Sequence, residues 1–487
     1  MQEGHINDVS LLPLYKKEIP NMLTEDTICA ISTAPGKGGI AIARVSGKEA
    51  ITITDRLFRA ARPGKTLTQA HSQTLTYGDI VDTDGKVIDT VLVSVFRAPH
   101  SFTGEDSTEI SCHGSLYIQQ QILRRLIDCG CRMAQPGEYT KRAFMNGKMD
   151  LSQAEAVADL IASNSAASHR VAMNQMRGGF SRELADLRAS LLKFVSLIEL
   201  ELDFSTEDVE FADRQQLTDL VHTIQHKISR LSDSFSLGNA IKNGIPVAIV
   251  GETNVGKSTL LNWLLNEDKA IVSDVKGTTR DVIEDTFIYG GVQFRLIDTA
   301  GLRTTNDKVE KMGIERSYKK MEEASIVLLM IDATTPAKDA AQFINAHLPR
   351  LNGKEVIVLI NKQDAIDKTQ QEALEAIAIP GTHCQRLFVS AKENQNKKAL
   401  LDTLLNLSHI NETDDDSTIV TNMRHYEALQ RALEAINRVS GGLDLGLSGD
   451  LLSRNIHDCI DALGEITGEI SNDEVLGNIF EHFCIGK

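Results

Sequence analysis

The chain has 487 residues, a net charge of −16, 42% hydrophobic and 24% charged residues. This length is too great for one hydrophobic core and implies about three domains. The acidic balance argues against tight nonspecific binding of nucleic acid by the whole surface, but leaves room for a local basic site or a partner that supplies one. No apolar run of about 18 residues is present, so no membrane span is expected. Residues 1–26 lack the apolar core of a secretory signal and carry scattered acids, unlike a transit peptide. They read as a disordered extension, with Met22 a candidate start, because the patterned chain begins at Thr27. The 7 cysteines form no disulfide framework. Cys129 and Cys131 make a lone C-x-C without a second pair at zinc spacing, which suits reduced thiols in a cytoplasmic protein.

Residues 27–147 read as an α/β domain. Ile28 to Ile31 and Ile40 to Val45 are expected strands around a hairpin turn at Pro35 to Gly39. Thr90 to Phe96 and Ser107 to Ser111 read as further strands. A helix follows with Ile118, Ile122, Leu123 and Leu126 on one face, stopped near Gly130. Residues 148–243 read as the first part of a helical domain. Ser152 and Glu155 have capping-box spacing, and Leu184, Leu187, Leu191, Val195 and Ile198 recur at helical spacing. Glu199 to Asp213 carries seven acids and no base, a metal site in principle but more readily a solvated acidic segment. Residues 244–410 hold a nucleotide module. Residues 411–487 open on the polar stretch Asn411 to Ser417 and return to helix, with Leu429, Leu433, Ile436, Ile456, Ile460 and Leu463 at helical spacing. Helix on both sides suggests a helical domain with the nucleotide module inserted into it.

Within the module, Gly251 to Ser258 reads GETNVGKS and fits G-x-x-x-x-G-K-[ST]. It sits between an apolar run (Val247 to Val250) and a helical pattern (Leu260, Leu261, Leu264, Leu265). Backbone N–H groups of Asn254, Val255, Gly256, Lys257, Ser258 and Thr259 in such a turn converge on phosphate oxygens, aided by the helix dipole. Lys257 is placed to reach the β- and γ-phosphates and the Ser258 hydroxyl to ligate Mg²⁺. Four further signals follow in order. Gly277, Thr278, Thr279, Arg280 and Asp281 lie about 20 residues on, where a loop can close a hydroxyl onto Mg²⁺, and Ser273, Asp274, Val275 and Lys276 just before them are expected to join the nucleotide site. Asp298, Thr299, Ala300 and Gly301 end an apolar strand, with the Asp298 carboxylate near the metal's outer shell. Asn361, Lys362, Gln363 and Asp364 end another. Asp364 matches the two adjacent donors of guanine, and its carboxylate left unpaired would disfavour adenine. Ser390, Ala391 and Lys392 complete the base pocket. The set defines a GTP-binding domain with a doubly wound sheet.

Catalysis is less direct. Leu302 follows Gly301 where many GTPases carry a water-orienting glutamine. Glu310 is a candidate replacement, although an exposed helix acid is the simpler reading from the residues alone. Asn254 can offer an amide oxygen to a monovalent cation beside the phosphates, or bond its own backbone.

Asn254 in the P-loop, the Gly277 to Asp281 loop and Leu302 occur together in potassium-dependent GTPases. Ser101 to Asp106 (SFTGED), Gln135 to Glu138 (QPGE), Arg142 to Phe144 (RAF) and the terminal Cys484 to Lys487 (CIGK) narrow the resemblance. From Thr27 to Lys487 the chain resembles the MnmE (TrmE) family of tRNA modification GTPases. The resemblance implies a GTP hydrolase that works with MnmG, an FAD protein, in a heterotetramer or larger complex. It implies modification of the wobble uridine of certain tRNAs at C5, giving aminomethyl or carboxymethylaminomethyl groups, with a one-carbon unit from 5-formyl- or 5,10-methylene-tetrahydrofolate. It also implies an N-terminal folate-binding domain that forms a homodimer, across which the nucleotide domains approach when GTP and K⁺ bind. By the same resemblance, Asn254, Ser273, Val275 and Thr278 hold K⁺, and Ser258 and Thr279 hold Mg²⁺. Glu310 polarises the attacking water, and Arg44, Glu109, Lys148 and Lys487 hold the folate. A folate's pterin suits a carboxylate and its glutamate tail suits cations. Cys484, beside Lys487, is a candidate nucleophile or acid, or else a positioning residue.

Two readings compete. A GTP-switch assembly factor acting on ribosomal RNA or ribosomes shares the nucleotide motifs, but residues 411–487 lack the basic module such factors usually append. A scaffold that binds GTP without turnover requires Glu310 to be idle.

Overall fold

A computed structural model describes residues 26–203, 214–265, 285–297, 323–351, 353–379, 384–410, 418–470, 473–481, 483 and 486. The extension 1–25 and residues 204–213 of the acidic stretch lie outside the described residues. The chain divides into two compact units, Met1–Ala154 with Ser471–Lys487, and Glu155–Ile470.

The first unit is built on a mixed seven-stranded sheet. Its strands are β1 (Ile28–Ile31), β2 (Ile40–Ser46), β3 (Phe58–Ala60), β4 (Thr74–Val81), β5 (Val87–Phe96), β6 (Ser107–His113) and β7 (Arg132–Met133), in the order β3-β4-β5-β6-β2-β1-β7. Antiparallel pairing of β1 with β2 confirms the expected hairpin. Period-two alternation sends Ala41, Ala43, Val45, Val91, Val93, Val95 and Ile110 to one face. There they pack under α1 (Ala50–Leu57) and α2 (Leu116–Asp128) through Ile51, Ile53, Leu57, Ile122 and Leu126. Ile40, Leu75, Tyr77 and Leu92 remain exposed. After α3 (Glu138–Met145), α4 (Leu151–Ala162) leads out of this unit into the second.

One expectation needs correction here. The capping box of α4 is not Ser152 with Glu155. Asp150 and Gln153 take the reciprocal bonds instead, Gln153 N to Asp150 Oδ1 at 2.9 Å and Asp150 N to Gln153 Oε1 at 3.0 Å. Ser152 is buried within the first turn. The C-terminal helix Asp473–Glu481 packs within the first unit, where Leu476 and Phe480 meet Leu151 and Ala154.

The second unit contains a bundle and a sheet. α5 (Ala166–Met176) has a Ser165–Ser168 capping box and is followed by α6 (Gly179–Asp203) and α7 (Arg214–Asn243). β8 (Ile245–Gly251) follows α7 after one residue and passes through the P-loop into α8 (Lys257–Leu265). The module continues with β9 (Asp285–Tyr289), β10 (Val292–Ile297), β11 (Ile326–Asp332), α9 (Ala337–His347), β12 (Glu355–Asn361), α10 (Lys368–Glu375), β13 (Cys384–Val389) and α11 (Lys397–Leu407). The sheet order is β13-β12-β11-β8-β10-β9, parallel except for β9 against β10. Both faces are covered, so β8 is apolar throughout. Val247 and Ile249 meet Leu260, Leu264 and Leu404 on one side, and Ala248 and Val250 share the core of Ile344 and Leu374 on the other.

The chain then returns to the bundle as α12 (Met423–Asp444) and α13 (Gly449–Thr467). Leu184, Leu187, Leu191, Val195 and Ile198 of α6 share one core with Val221 and Ile228 of α7, Leu429 and Ile436 of α12, and Ile456, Ile460 and Leu463 of α13. The returning segment lies so close to α7 that a Cβ on Gly238 would stand 2.1 Å from the Val420 carbonyl oxygen. The module is joined to the bundle by more than the chain. Ala167 N donates to Gly291 O at 3.1 Å, and Ala167 and Ile241 belong to the same apolar core as the sheet.

Candidate functional site

The P-loop lies at the C-terminal end of β8, between β11 and β10, where chain direction across the sheet reverses and α/β sheets bind ligands. Two glycines are required by approach. A Cβ on Gly251 would meet the Met330 carbonyl oxygen at 2.5 Å, and one on Gly256, at φ +99°, would meet Asn361 Nδ2 at 2.5 Å. Asn254 takes a left-handed φ of +66°. Lys257 Nζ folds back to the carbonyls of Gly251 (2.7 Å) and Glu252 (2.6 Å), which holds the ammonium at the loop.

Asn361 joins the two halves of the site. Its buried amide donates to Val255 O at 2.8 Å, and its Oδ1 accepts from Ala391 N at 3.1 Å. One side chain thereby fixes the P-loop against the Ser390 segment. Lys362, at φ +66°, adds a second strut, with Nζ donating to Asn254 O at 3.0 Å and to Asp332 Oδ2 at 2.5 Å. Burial works against the Asp332 carboxylate, but the bond from Lys362 and those from Thr334 outweigh it and hold its pKa below the usual range. Asp364 stands exposed in the short turn Gln363–Ala365. The Ser390 loop is closed by Gln395 N to Ser390 O (3.0 Å) and Glu393 N to Ser390 Oγ (3.1 Å). Gln363 Nε2 reaches Gln395 Oε1 at 2.9 Å.

The structure therefore brings Asn254, Val255, Gly256, Lys257, Asn361, Lys362, Gln363, Ser390 and Ala391 into one bonded assembly. Ser258 and Thr259 lie in the first turn of α8, and Lys392 is exposed beside Glu393. Ser273, Asp274, Val275, Lys276, Gly277, Thr278, Thr279, Asp298, Thr299, Ala300, Gly301, Glu310, Cys484 and Lys487 lie outside the described residues. Sequence reasoning passed over Asp332, which ends a strand without a motif to mark it. It also passed over Trp263, whose Nε1 donates to Asn394 Oδ1 at 2.6 Å behind the base-side loop.

The first unit holds a second assembly. Paired positions on β2 and β6 place Arg44 opposite Glu109, and Arg44 Nε and Nη2 both donate to Oε1, at 3.0 and 2.8 Å. The guanidinium lies 5.4 Å from the Phe102 ring centroid and 5.7 Å from that of Tyr139. Lys148 Nζ donates to Pro99 O at 2.9 Å, on the loop that carries Phe102. The C-terminal tail arrives nearby, since Ser32 Oγ donates to Gly486 O at 2.9 Å. The flanking motif residues form the support beneath. Arg142 is buried among Asp26 (2.8 Å), Glu138 (3.0 Å) and Glu105 (3.2 Å), and Arg132 bonds Glu138 as well.

The profile described as "GTP-binding protein TrmE N-terminus" matches residues 27–148, and that described as "MnmE helical domain" matches residues 151–484. The chain is 59% identical over 467 residues to the tRNA modification GTPase MnmE of Bacteroides thetaiotaomicron, covering 96% of this chain and 100% of that protein. The chain belongs to the MnmE family of tRNA modification GTPases. The namesake from Parabacteroides distasonis is 59% identical, covering 95% of this chain and 100% of that one, and the one from Flavobacterium johnsoniae is 50% identical, covering 96% and 100%. The family thus spans both assemblies, and its profile boundary near residue 150 falls at the start of α4. Among the described residues no helix is long and apolar enough to cross a membrane, and every cysteine is a free thiol.

Proposed function

We propose that this chain is a GTP hydrolase of tRNA modification. With the FAD-dependent MnmG, in a heterotetramer or larger complex, it modifies C5 of the wobble uridine to aminomethyl or carboxymethylaminomethyl forms as a cytoplasmic homodimer. The observation that carries the GTP half is the Asn361 amide, which makes the P-loop and the base-reading loop one rigid piece. Such a piece reads a nucleotide at both ends, with phosphates against the Gly256 cradle and guanine against Asp364. Lys257 carries charge to the phosphates, and the Ser258 hydroxyl with Thr279 holds Mg²⁺. Lys362 fixes the backbone of Asn254, leaving the Asn254 amide oxygen as a ligand for K⁺ with Ser273, Val275 and Thr278. Glu310 orients the attacking water.

Folate fits the first unit. Arg44, Glu109 and Phe102 combine a fixed ion pair with an exposed aromatic face, which suits a flat pterin with adjacent donors. The Arg44 bonds fall on Oε1 of Glu109, so Oε2 serves the ring amine. Lys148, with Lys487, meets the glutamate tail. The bound tetrahydrofolate, 5-formyl or 5,10-methylene, supplies the one-carbon unit, and Cys484 acts in or beside this site.

The test is nucleoside mass spectrometry of tRNA from cells with and without the protein. Loss of C5-aminomethyl uridines, restored by the intact gene but not by Lys257→Ala, supports the reading. Unchanged uridines with an imbalance of ribosomal subunits would replace it with the assembly-factor reading.

A further inference from the structure

On the first unit, away from the Arg44–Glu109 pair, a groove of about 580 Å³ opens between the glycine turn and the start of α2. Lys37, Gly38, Gly39, His113, Ser115 and Tyr117 are among the residues that line it. Its floor is backbone laid on backbone. Gly38 N donates to Gly114 O at 3.1 Å, and a Cβ on Gly114 would stand 2.4 Å from Gly38 O. Behind the groove, Asp89 is almost fully buried and accepts three N–H bonds. They come from Thr90 N (2.9 Å), His113 N (2.8 Å) and His113 Nδ1 (2.7 Å). A carboxylate so placed accepts from Nδ1–H, which fixes the tautomer and leaves Nε2 as the working atom of an imidazole whose side chain is 70% exposed.

The chemistry of the lining is selective. Among the described residues no Asp or Glu lines the groove, although the chain carries a net charge of −16. Lys37 supplies a cation and Tyr117, 68% exposed, supplies an aromatic face in water. An aromatic platform and an ammonium, with a fixed acceptor in the same groove, make the set that recognises single-stranded nucleic acid. The base stacks, the phosphate pairs, and an N–H or a ribose 2′-hydroxyl meets the imidazole. We propose that this groove binds a nucleotide of single-stranded RNA, with Tyr117 stacking its base, Lys37 pairing its phosphate and His113, oriented by Asp89, accepting from the base edge or the 2′-hydroxyl. The inference rests on the tRNA reading above and adds to it a contact surface on the N-terminal unit.

The experiment is fluorescence anisotropy of the full-length protein with labelled single-stranded pentauridylate, alongside GTP turnover, sedimentation and tRNA nucleoside analysis. Tyr117→Ala is expected to weaken binding at least about tenfold. Lys37→Ala is expected to weaken it and to lower the slope of log affinity against log salt by about one. Asp89→Asn is expected to weaken it through the freed imidazole, and GTP turnover is expected to stay unchanged in all three. Equal binding by Tyr117→Ala and Lys37→Ala overturns the proposal. So does a changed association state in Tyr117→Ala with RNA binding intact, which makes the groove a contact between copies. If the wild-type protein binds no RNA and tRNA uridines are unmodified, the tRNA reading fails. If uridines are modified and these variants bind as wild type, only the groove assignment fails.

Discussion

Glu155→Gln should loosen the helical bundle by about 3 kcal/mol at neutral pH. Glu155 is almost fully buried and takes Arg424 Nε at 3.0 Å on Oε1 and Arg424 Nη2 at 2.8 Å on Oε2. His425 Nε2 stands 2.6 Å from the same Oε2. Burial alone would raise the carboxyl, but the neighbouring His425 and Arg424 outweigh it and hold it down at about 2, against an ordinary 4.5. That difference corresponds to about 3 kcal/mol of stability. Because the folded value is the lower one, the contribution is present in full above pH 4.5 and disappears as pH falls through about 2. Glutamine keeps the shape, removes the charge, and turns an amide toward donors of Arg424, which remains half-buried and bonded to Glu465 O and Ile466 O. Native-state hydrogen exchange on peptides covering 423–444 reads the effect. Wild-type protection should exceed that of the variant by about 3 kcal/mol at pH 7 and converge with it near pH 2. A difference below about 1 kcal/mol at pH 7, or one unchanged by acid, would refute the reasoning.

The remaining outcomes concern the nucleotide. Asn361→Ala removes both bonds joining the P-loop to the Ser390 segment and should weaken GTP by about 2 kcal/mol, roughly 30-fold; calorimetry showing less than a threefold loss would contradict it. Gly256→Ala places a methyl 2.5 Å from Asn361 Nδ2 at a positive φ and should be at least as damaging, while Gly353→Ala, with open space around its Cβ, should leave GTP affinity as in wild type. Asp364→Asn should shift preference from GTP toward xanthosine triphosphate, since an amide donates where the carboxylate accepts, and turnover in K⁺ should exceed turnover in Na⁺ at equal ionic strength; equal rates in the two salts would remove Asn254 from its assigned role.

The P-loop, the Asn361 to Asp364 turn and the buried faces of α6, α12 and α13 were legible in the sequence because each is local: a fixed spacing or one period dictates it. The capping box of α4 was not. Asp150 with Gln153 and Ser152 with Glu155 have the same spacing, and the choice between them is made by Arg424, 269 positions downstream, which claims Glu155. The packing partner of the C-terminal helix was not legible for a similar reason. Leu476 and Phe480 give it an apolar stripe that suits any helical partner, and nothing local directs that stripe to Leu151. Asp332 and Asp89 were invisible because their partners, Lys362 just past β12 and His113 on β6, lie 30 and 24 residues away. The SFTGED and QPGE stretches carried the resemblance, yet Glu105 and Glu138 within them bind Arg142 and support the Arg44 site from below.

The insertion between α7 and α12 sets a timetable for biosynthesis. The bundle core needs α12 and α13 against α6 and α7, but about 180 residues separate Asn243 from Met423. At a synthesis rate of roughly 5–20 residues per second, the apolar stripes of α6 and α7 wait roughly 10–40 s for their partners. During that interval the nucleotide module emerges whole and can close its own sheet. The N-terminal unit waits longer still, since the helix that covers Leu151 follows the whole second unit in the chain. Each half of the protein is finished by a segment the ribosome delivers after another domain is complete, which makes α6 and α7 the stretch most in need of a chaperone before release.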